Sequence, residues 1–205
     1  VAAEGLCRWN HPELGAVPPD RFIPLAEQSG TIHAIGQFMI DECIAAADRW
    51  SDKVARIEMS VNVSPLQLTA SFADELRTRW RRRNLPMDSL TLEITESLPV
   101  DDLEAAVPRL EALRSVGIGI SLDDYGTGHA SIAQFDRLPI TEVKLDRSLM
   151  QSASTSSQEV RRVVEVAHAR GLRVGAEGIE NDDQLDFARS VGCGRAQGYL
   201  LGVPM

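Results

Sequence analysis

The sequence has little with which to hold a zinc ion or to staple a small fold. Its cysteines, Cys7, Cys43 and Cys193, are odd in number, scattered, and without Cys-x-x-Cys spacing. Buried or half-buried thiols in a reducing compartment are therefore expected. No apolar run approaches the ~18 residues that a membrane span needs, so no membrane segment is expected in this chain. No secretory leader pattern is visible. Positive charge is also short: 21 Lys and Arg stand against 30 Asp and Glu, a formal net charge of -9. That balance excludes DNA or RNA binding through a basic face. An anionic ligand would need a local source of positive charge, and bound metal is one. A start methionine is lacking, and the chain opens directly in apolar sequence, which predicts a piece cut from something longer.

What is present is alternation. The chain has 205 residues, 43% of them hydrophobic, a length that suits one domain with a real core. Strand-like runs are expected at residues 2–8, 57–63, 89–95, 118–123, 141–146, 172–177 and 197–201. Helical stretches are expected near 20–28, 33–50, 66–83, 101–116, 129–137, 157–170 and 182–191. Asp101 and Asp102 precede Leu103, Val107 and Leu110 at helical spacing, and Ser157 precedes Val160, Val163, Val164 and Ala167. Gly117, Gly171 and Gly192 stop helices. The run from Gln151 to Ser157 reads as a loop. Alternation at this period predicts parallel strands with crossover helices. Seven strand–helix units fit a (β/α)8 TIM-like barrel lacking its first strand. The rival is an open doubly wound sheet, but no Gly-rich phosphate loop follows the first strand.

The strands have a polar side. Successive side chains point to opposite faces, so Ile57, Met59, Val61 and Val63 oppose Glu58, Ser60, Asn62 and Ser64. Leu90, Leu92 and Ile94 oppose Thr91, Glu93 and Thr95; Ile118, Ile120 and Leu122 oppose Gly119, Ser121 and Asp123. Val143 and Leu145 oppose Glu142, Lys144 and Asp146; Leu172, Val174 and Ala176 oppose Arg173, Gly175 and Glu177. Glu4 shares a face with Leu6 and Arg8 on the first strand. The polar series ends in Asn62, Glu93, Asp123, Lys144, Asp146 and Glu177, at the strand ends where barrel enzymes build their sites. A half-solvated antiparallel sheet would alternate too, but intervening helices argue for strands covered on both faces. Buried carboxylates need cations or lose their charge, and Lys144 alone cannot neutralise Glu4, Glu93, Asp123, Asp124 and Glu177. Oxygen ligands with no histidine among them suit magnesium or manganese rather than zinc.

At these residues the sequence resembles the EAL domain of bacterial cyclic-di-GMP phosphodiesterases, over essentially its whole length. The signature Glu-Ala-Leu reads Glu4-Gly5-Leu6, followed by Arg8-Trp9. The segment Pro19-Asp20-Arg21-Phe22-Ile23-Pro24-Leu25-Ala26-Glu27 matches the next family stretch, and Ser60-Val61-Asn62-Val63-Ser64 carries the family's metal-binding Asn. Glu93-Ile94-Thr95-Glu96, Asp123-Asp124-Tyr125-Gly126-Thr127-Gly128, Lys144-Leu145-Asp146, Ala176-Glu177-Gly178-Ile179-Glu180 and Gln197-Gly198-Tyr199 follow in the family's order. The departures are Gly5 for Ala, Tyr125 for Phe, His129-Ala130-Ser131 for Tyr-Ser-Ser, and Gly194 for an Asp; none removes a ligand, although Gly5 could loosen the first strand. The family's first strand is absent from this sequence.

The resemblance implies one catalytic domain over residues 1–205 that hydrolyses cyclic-di-GMP to linear pGpG. Glu4, Asn62, Glu93 and Asp123 would ligate one divalent cation, and Asp123, Asp124 and Glu177 a second, with Asp123 bridging. Two cations ~3.5–4 Å apart can clamp the phosphoryl oxygens during in-line displacement. Lys144 would orient the attacking water or meet the developing negative charge, Glu177 is one candidate to accept the water's proton while the sequence leaves the base open, and Glu96 would shape the loop that presents Asp123 and Asp124. Leu6, Arg8, Pro24, Asp146, Glu180 and Gln197 would line the substrate cleft. Arg8 could instead cap the barrel rim, Glu180 could serve the start of the following helix, and Asp146 could pair with Lys144 or Arg147. The ions would be magnesium or manganese, with calcium inhibiting. A bacterial cytoplasmic setting is implied, as are a homodimer and further sensory or diguanylate-cyclase-like domains in the full-length protein. The arginines at 77–83 read as a solvated face, and Trp80 among them could lie in a dimer surface. The alternative function is a catalytically silent cyclic-di-GMP receptor.

Overall fold

The apolar and β-branched runs form strands, and most of them alternate along the chain with helices. The structure is a computed structural model and describes residues 1–51, 57–95, 100–127, 132, 134–151 and 153–204. It comprises two compact units, Val1–Ile94 with Glu104–Gly119, and Thr95–Leu103 with Ile120–Met205.

The elements of the first part of the chain are β1 (Ala2–Gly5), β2 (Trp9–His11), β3 (Gly15–Val17), α1 (Pro19–Ser29), α2 (Ile32–Ser51), β4 (Glu58–Asn62), α3 (Phe72–Arg81), β5 (Leu90–Thr95) and α4 (Val100–Ser115). In the first unit β1 pairs with β4, and β4 with β5, all parallel. Glu4 is level with Ser60, Ser60 with Thr91, and Asn62 with Glu93. The polar parity of three strands is thus one face, as expected from their alternation. The opposite parity, Met59, Val61, Leu92 and Ile94, is fully buried.

The first expected strand is shorter than 2–8. It ends at Gly5, and β2 and β3 form an antiparallel hairpin. Pro12 and Gly15, the latter at φ 69°, make the turn, and His11 Nδ1 accepts hydrogen bonds from the Glu13 and Leu14 N–H groups. Leu6 and Arg8 therefore do not share a strand face with Glu4. The expected helix at 66–83 is also interrupted: Pro65–Gln67 is a 3-10 turn and α3 begins only at Phe72. Trp80 is not a surface residue. It is fully buried, and its indole N–H donates to the Pro86 carbonyl at 2.8 Å, because it lies on the same helix face as Leu76, which points inward. Its neighbours Arg79 and Arg83 reach Asp41 and Asp48 on α2 at 2.9 and 3.0 Å, so part of the arginine run ties two helices together.

The elements of the second part are β6 (Gly119–Tyr125), α5 (Gln134–Arg137), β7 (Glu142–Leu145), α6 (Arg147–Gln151), α7 (Ala153–Ala169), β8 (Arg173–Ala176), α8 (Asp182–Val191) and β9 (Arg195–Ala196). Here β6, β7, β8 and β9 pair in sequence order, all parallel. Neither unit reverses its strand order, as a doubly wound sheet does, and the parallel pairs exclude the antiparallel reading. Every residue of β7 is buried, on both faces. Gly117, Gly171 and Gly192 adopt φ of 99°, 72° and 97° after their helices, the left-handed stop that glycine makes without strain.

Two expectations fail in this part. The described part of the segment 151–157 is helical rather than a loop, since α6 ends at Gln151 and α7 begins at Ala153. Ser and Thr are only mild helix breakers, and the helix nucleated by Val160, Val163 and Val164 extends back through them. The last strand is Arg195–Ala196 rather than 197–201. At Gly198 the chain passes so close to the Ile179 backbone that a Cβ would overlap it, and the ladder ends there.

Candidate metal centre

The first unit brings together Glu4, Asn62 and Glu93. The Asn62 amide nitrogen donates to Glu4 Oε1 at 2.8 Å and to Glu93 Oε2 at 3.3 Å. Parallel pairing of β1, β4 and β5 places all three on the polar parity near the C-terminal strand ends. Glu93 is 1% exposed, so its carboxylate sits where charge is costly without compensation.

The loop that follows Asn62 is bracketed. Ser64 Oγ donates to Glu27 Oε1 at 2.6 Å and accepts from the Leu66 N–H, while Gln67 Oε1 accepts from the Ser64 N–H at 3.0 Å. Gln67 is 4% exposed, and its amide occupies the space beside Gly36 of α2, where a Cβ would overlap it. This bracket was not foreseen from the sequence. Its signal was Ser64-Pro65-Leu66-Gln67, the Ser-x-x-Gln form of a capping box.

The second unit brings together Asp123, Asp124, Glu177 and Lys144. Consecutive residues of a regular strand point to opposite faces, so Asp123 and Asp124 should diverge. They do not, because β6 shifts register against β7 between Leu122 and Tyr125, and Asp124 takes φ 57°. Asp tolerates the left-handed region better than most residues. With that bulge, one oxygen each from Asp123, Asp124 and Glu177 lies within 4.8 Å of the others. Lys144 Nζ is 2.7 Å from Glu177 Oε1 and 3.5 Å from Asp123 Oδ1. Its stem passes Gly175 on β8, where a Cβ would lie 3.5 Å from Lys144 Cγ. One turn of the pleat below, Glu142 is held by Arg173 at 3.0 Å and by Arg195 at 3.7 Å. Glu142 was visible in the polar parity; its arginine clamp was not, because Arg195 comes from a strand placed elsewhere by sequence.

The donor set fits a hard divalent cation. The second unit offers three carboxylate oxygens close together with no histidine or thiol in the cluster, and in the first unit Glu4 and Glu93 share the Asn62 amide nitrogen.

The remaining expected site residues are more dispersed. Leu6 and Arg8 lie beyond β1 and are exposed, with the Arg8 guanidinium donating to the Cys7 carbonyl at 3.0 Å. Pro24 is exposed within α1. Asp146 accepts from the Ser148 N–H at 2.9 Å and so caps α6. Glu180 precedes Asn181, which is the N-cap of α8, and Glu180 donates its own N–H to Gln184 Oε1 at 2.7 Å. Gln197 is exposed and continues the ladder, its N–H donating to the Ala176 carbonyl at 2.9 Å. Glu96, Gly128 and the sequence His129-Ala130-Ser131 lie outside the described residues.

Burial disfavours the thiolate form of all three cysteines. Burial pushes Cys43 up to about 11, with the carboxylates of Glu42, Glu4 and Glu93 adding to the effect. Burial likewise pushes Cys193 up to about 11 and raises Cys7 against the lowering influence of Arg8. At pH 8 a disulfide reagent such as dithionitrobenzoate should modify Cys43 and Cys193 only slowly, and all three thiols at once in denaturant. Rapid native labelling of Cys43 would contradict this packing. Because the folded thiols ionise at higher pH than unfolded ones, their contribution to stability is intact below the ordinary thiol range. It is lost as pH rises from there toward about 11.

Comparison with known proteins agrees with the geometry. The EAL domain family matches residues 1–204. The bifunctional diguanylate cyclase/cyclic di-GMP phosphodiesterase MucR of Pseudomonas aeruginosa is 38% identical over 100% of this chain, which spans 31% of that protein. Cyclic di-GMP phosphodiesterase PA2567 of the same organism is 34% identical over 100% of this chain and 36% of its own length. The chain thus spans about a third of these relatives. Among solved structures, the PaMucR phosphodiesterase in complex with c-di-GMP superposes with a TM-score of 0.89 at 38% identity, covering 98% of this chain and 84% of that one. The EAL enzyme Bd1971, in its cAMP- and cyclic-di-GMP-bound form, reaches a TM-score of 0.92 at 30% identity, covering 100% of this chain and 57% of that one. The fold is therefore that of the EAL enzymes, a partial (β/α)8 barrel. With the family matched over residues 1–204 and a relative 38% identical along the whole sequence, this chain belongs to the EAL domain family.

Proposed function

We propose that residues 1–205 act as one metal-dependent phosphodiesterase domain that opens cyclic-di-GMP to linear pGpG. The observation that carries this reading is the convergence of Asp123, Asp124 and Glu177 within 4.8 Å beside Lys144. The cyclic-di-GMP phosphodiesterase names of MucR and PA2567, and the c-di-GMP complex of PaMucR, supply the substrate class.

In this reading Glu4, Asn62 and Glu93 hold one cation, and Asp123, Asp124 and Glu177 another; both are magnesium or manganese, with calcium inhibiting. When bound, two such ions supply charge neutralisation on the phosphodiester and a more acidic water. The chain's own residues do the rest. Water oxygen forms a bond to phosphorus in line with the P–O3′ bond that breaks. Glu177 takes the proton that the water releases. Lys144, 2.7 Å from Glu177, fixes that carboxylate and meets negative charge that grows on the phosphoryl group. A proton finally reaches the leaving 3′-oxygen, giving the free hydroxyl of pGpG. Glu96 shapes the loop that presents Asp123 and Asp124. Arg8 faces a phosphate, and Leu6, Pro24, Asp146, Glu180 and Gln197 line the substrate cleft. Cytoplasmic placement, homodimerisation and attachment to sensory or diguanylate-cyclase-like domains belong to the same proposal. Trp80 cannot supply the dimer surface, since it is buried.

The test is chromatographic detection of pGpG from cyclic-di-GMP with magnesium, manganese, calcium or EDTA, with Glu4→Ala in parallel. Turnover is expected with magnesium or manganese, none with calcium or EDTA, and a loss of ~10²-fold or more in Glu4→Ala. Binding without turnover in every metal would replace this function with that of a receptor.

A further inference from the structure

The signature that names the family has alanine where this chain has Gly5. Nothing in the backbone demands glycine there, because Gly5 is not among the glycines with positive φ. At such a position alanine ordinarily stabilises a protein by restricting the unfolded chain. Space is what excludes it. A Cβ at Gly5 would overlap Cys43 Sγ and would stand 3.5 Å from Met39 Cε and 3.6 Å from the Ser60 carbonyl oxygen. Cys43 lies on α2 and is 3% exposed, so its sulfur cannot swing out into solvent and any shift must be taken up within the packed interior.

Gly5 ends β1, the strand that carries Glu4, and it is level with Val61 of β4, one residue before Asn62. The Glu4 carboxylate meets the Asn62 amide at 2.8 Å. We propose that Gly5 and Cys43 form one positioning pair: the thiol on α2 fills the volume that a methyl at residue 5 would need. The resulting α2–β1 spacing holds the Glu4 carboxylate against Asn62. This rests on the reading of Glu4 as a metal ligand. Neither residue touches substrate, so both act through Glu4. The far-reaching consequence is a size exchange: a methyl can be added at residue 5 only if the sulfur is removed at residue 43, since close-packed sites tolerate volume-conserving swaps far better than added bulk.

The experiment is a double-mutant cycle of Gly5→Ala, Cys43→Ala and the two together. It is read by thermal unfolding in EDTA, by manganese affinity from the spectroscopic signal of the bound ion, and by the manganese concentration that half-saturates turnover. Gly5→Ala alone should lower Tm by roughly 3–10 °C and weaken manganese binding by about tenfold. The double variant should return close to wild type in both, although it carries one more change. If Gly5→Ala is too unstable to purify, folding of the double variant supports the same coupling. The pair is overturned if Gly5→Ala is neutral or stabilising, or if the two effects simply add. Its positioning role is overturned if Tm follows the cycle while manganese affinity is equal in all four proteins. Absence of wild-type turnover with the cycle intact in Tm and manganese affinity would overturn the phosphodiesterase reading alone.

Discussion

Lys144→Met is expected to lower cyclic-di-GMP hydrolysis by about 10²–10³-fold at saturating manganese, and to lower Tm in EDTA by roughly 6–20 °C. The side chain is 10% exposed and stands between Glu177 at 2.7 Å and Asp123 at 3.5 Å, which are 19% and 11% exposed. Removing one partner of a buried ion pair costs about 3–5 kcal/mol, because the remaining charge keeps its desolvation penalty. For a domain of this size each kcal/mol moves Tm by about 2–4 °C. Arg173 and Arg195 do not take over this duty, because both engage Glu142 instead. Manganese should raise the Tm of Lys144→Met more than that of wild type, since the cation then supplies the charge that the ammonium supplied. Lys144→Arg should not restore turnover: a guanidinium is larger, and its planar fork cannot take the place of a compact ammonium beside Gly175. The check is unfolding in EDTA and across a manganese titration, with steady-state turnover alongside. A Tm in EDTA equal to that of wild type would show that Lys144 does not neutralise these acids.

Much of this site follows from one-dimensional pattern. Period-two alternation placed Glu93, Asp123, Lys144 and Glu177 on one parity, and parallel pairing keeps neighbouring parities together, as at Asn62 and Glu93 or Lys144 and Gly175. Gly117, Gly171 and Gly192 marked helix ends because a left-handed residue is a local requirement. What the pattern could not show depends on where the backbone departs from regularity or on contacts distant in sequence. Alternation sends Asp123 and Asp124 apart; only the β6 bulge and the left-handed Asp124 bring both to Glu177. Trp80 sits in an arginine-rich stretch, and local composition says surface, but the helix face it shares with Leu76 is buried. The strand Arg195–Ala196 has only two residues, too few for any periodicity to register. The glycine in place of the signature alanine reads in the sequence as a loosened strand, whereas in the fold Cys43 occupies the space beside it.

Asp123→Asn is expected to abolish measurable hydrolysis, a loss of ~10³-fold or more, and, leaving whatever an ion at Glu4, Asn62 and Glu93 contributes, to remove the rise in Tm that manganese held by Asp123, Asp124 and Glu177 gives wild type. That rise should be about 5–10 °C when manganese is a hundredfold above its dissociation constant, from the linkage value of about 2.7 kcal/mol. In EDTA, however, this variant should be as stable as wild type or more so, opposite in sign to Lys144→Met. The charges decide it. Asp123 has two carboxylates within 4.8 Å and an ammonium at 3.5 Å. With an effective dielectric of about 20, each repulsion is worth at least about 3.5 kcal/mol and the attraction about 4.7 kcal/mol. Over these three neighbours two repulsions exceed one attraction by roughly 2 kcal/mol, so a neutral amide of the same shape is expected to relieve the metal-free protein. A variant more stable than wild type in EDTA would make stability and metal binding opposing demands on this one side chain. Unfolding of Asp123→Asn and wild type, each in EDTA and in manganese, checks both halves. A variant less stable than wild type in EDTA would mean that Asp123 is retained for its bond to Lys144. A variant still stabilised by manganese to the wild-type extent would remove Asp123 from the ligand set.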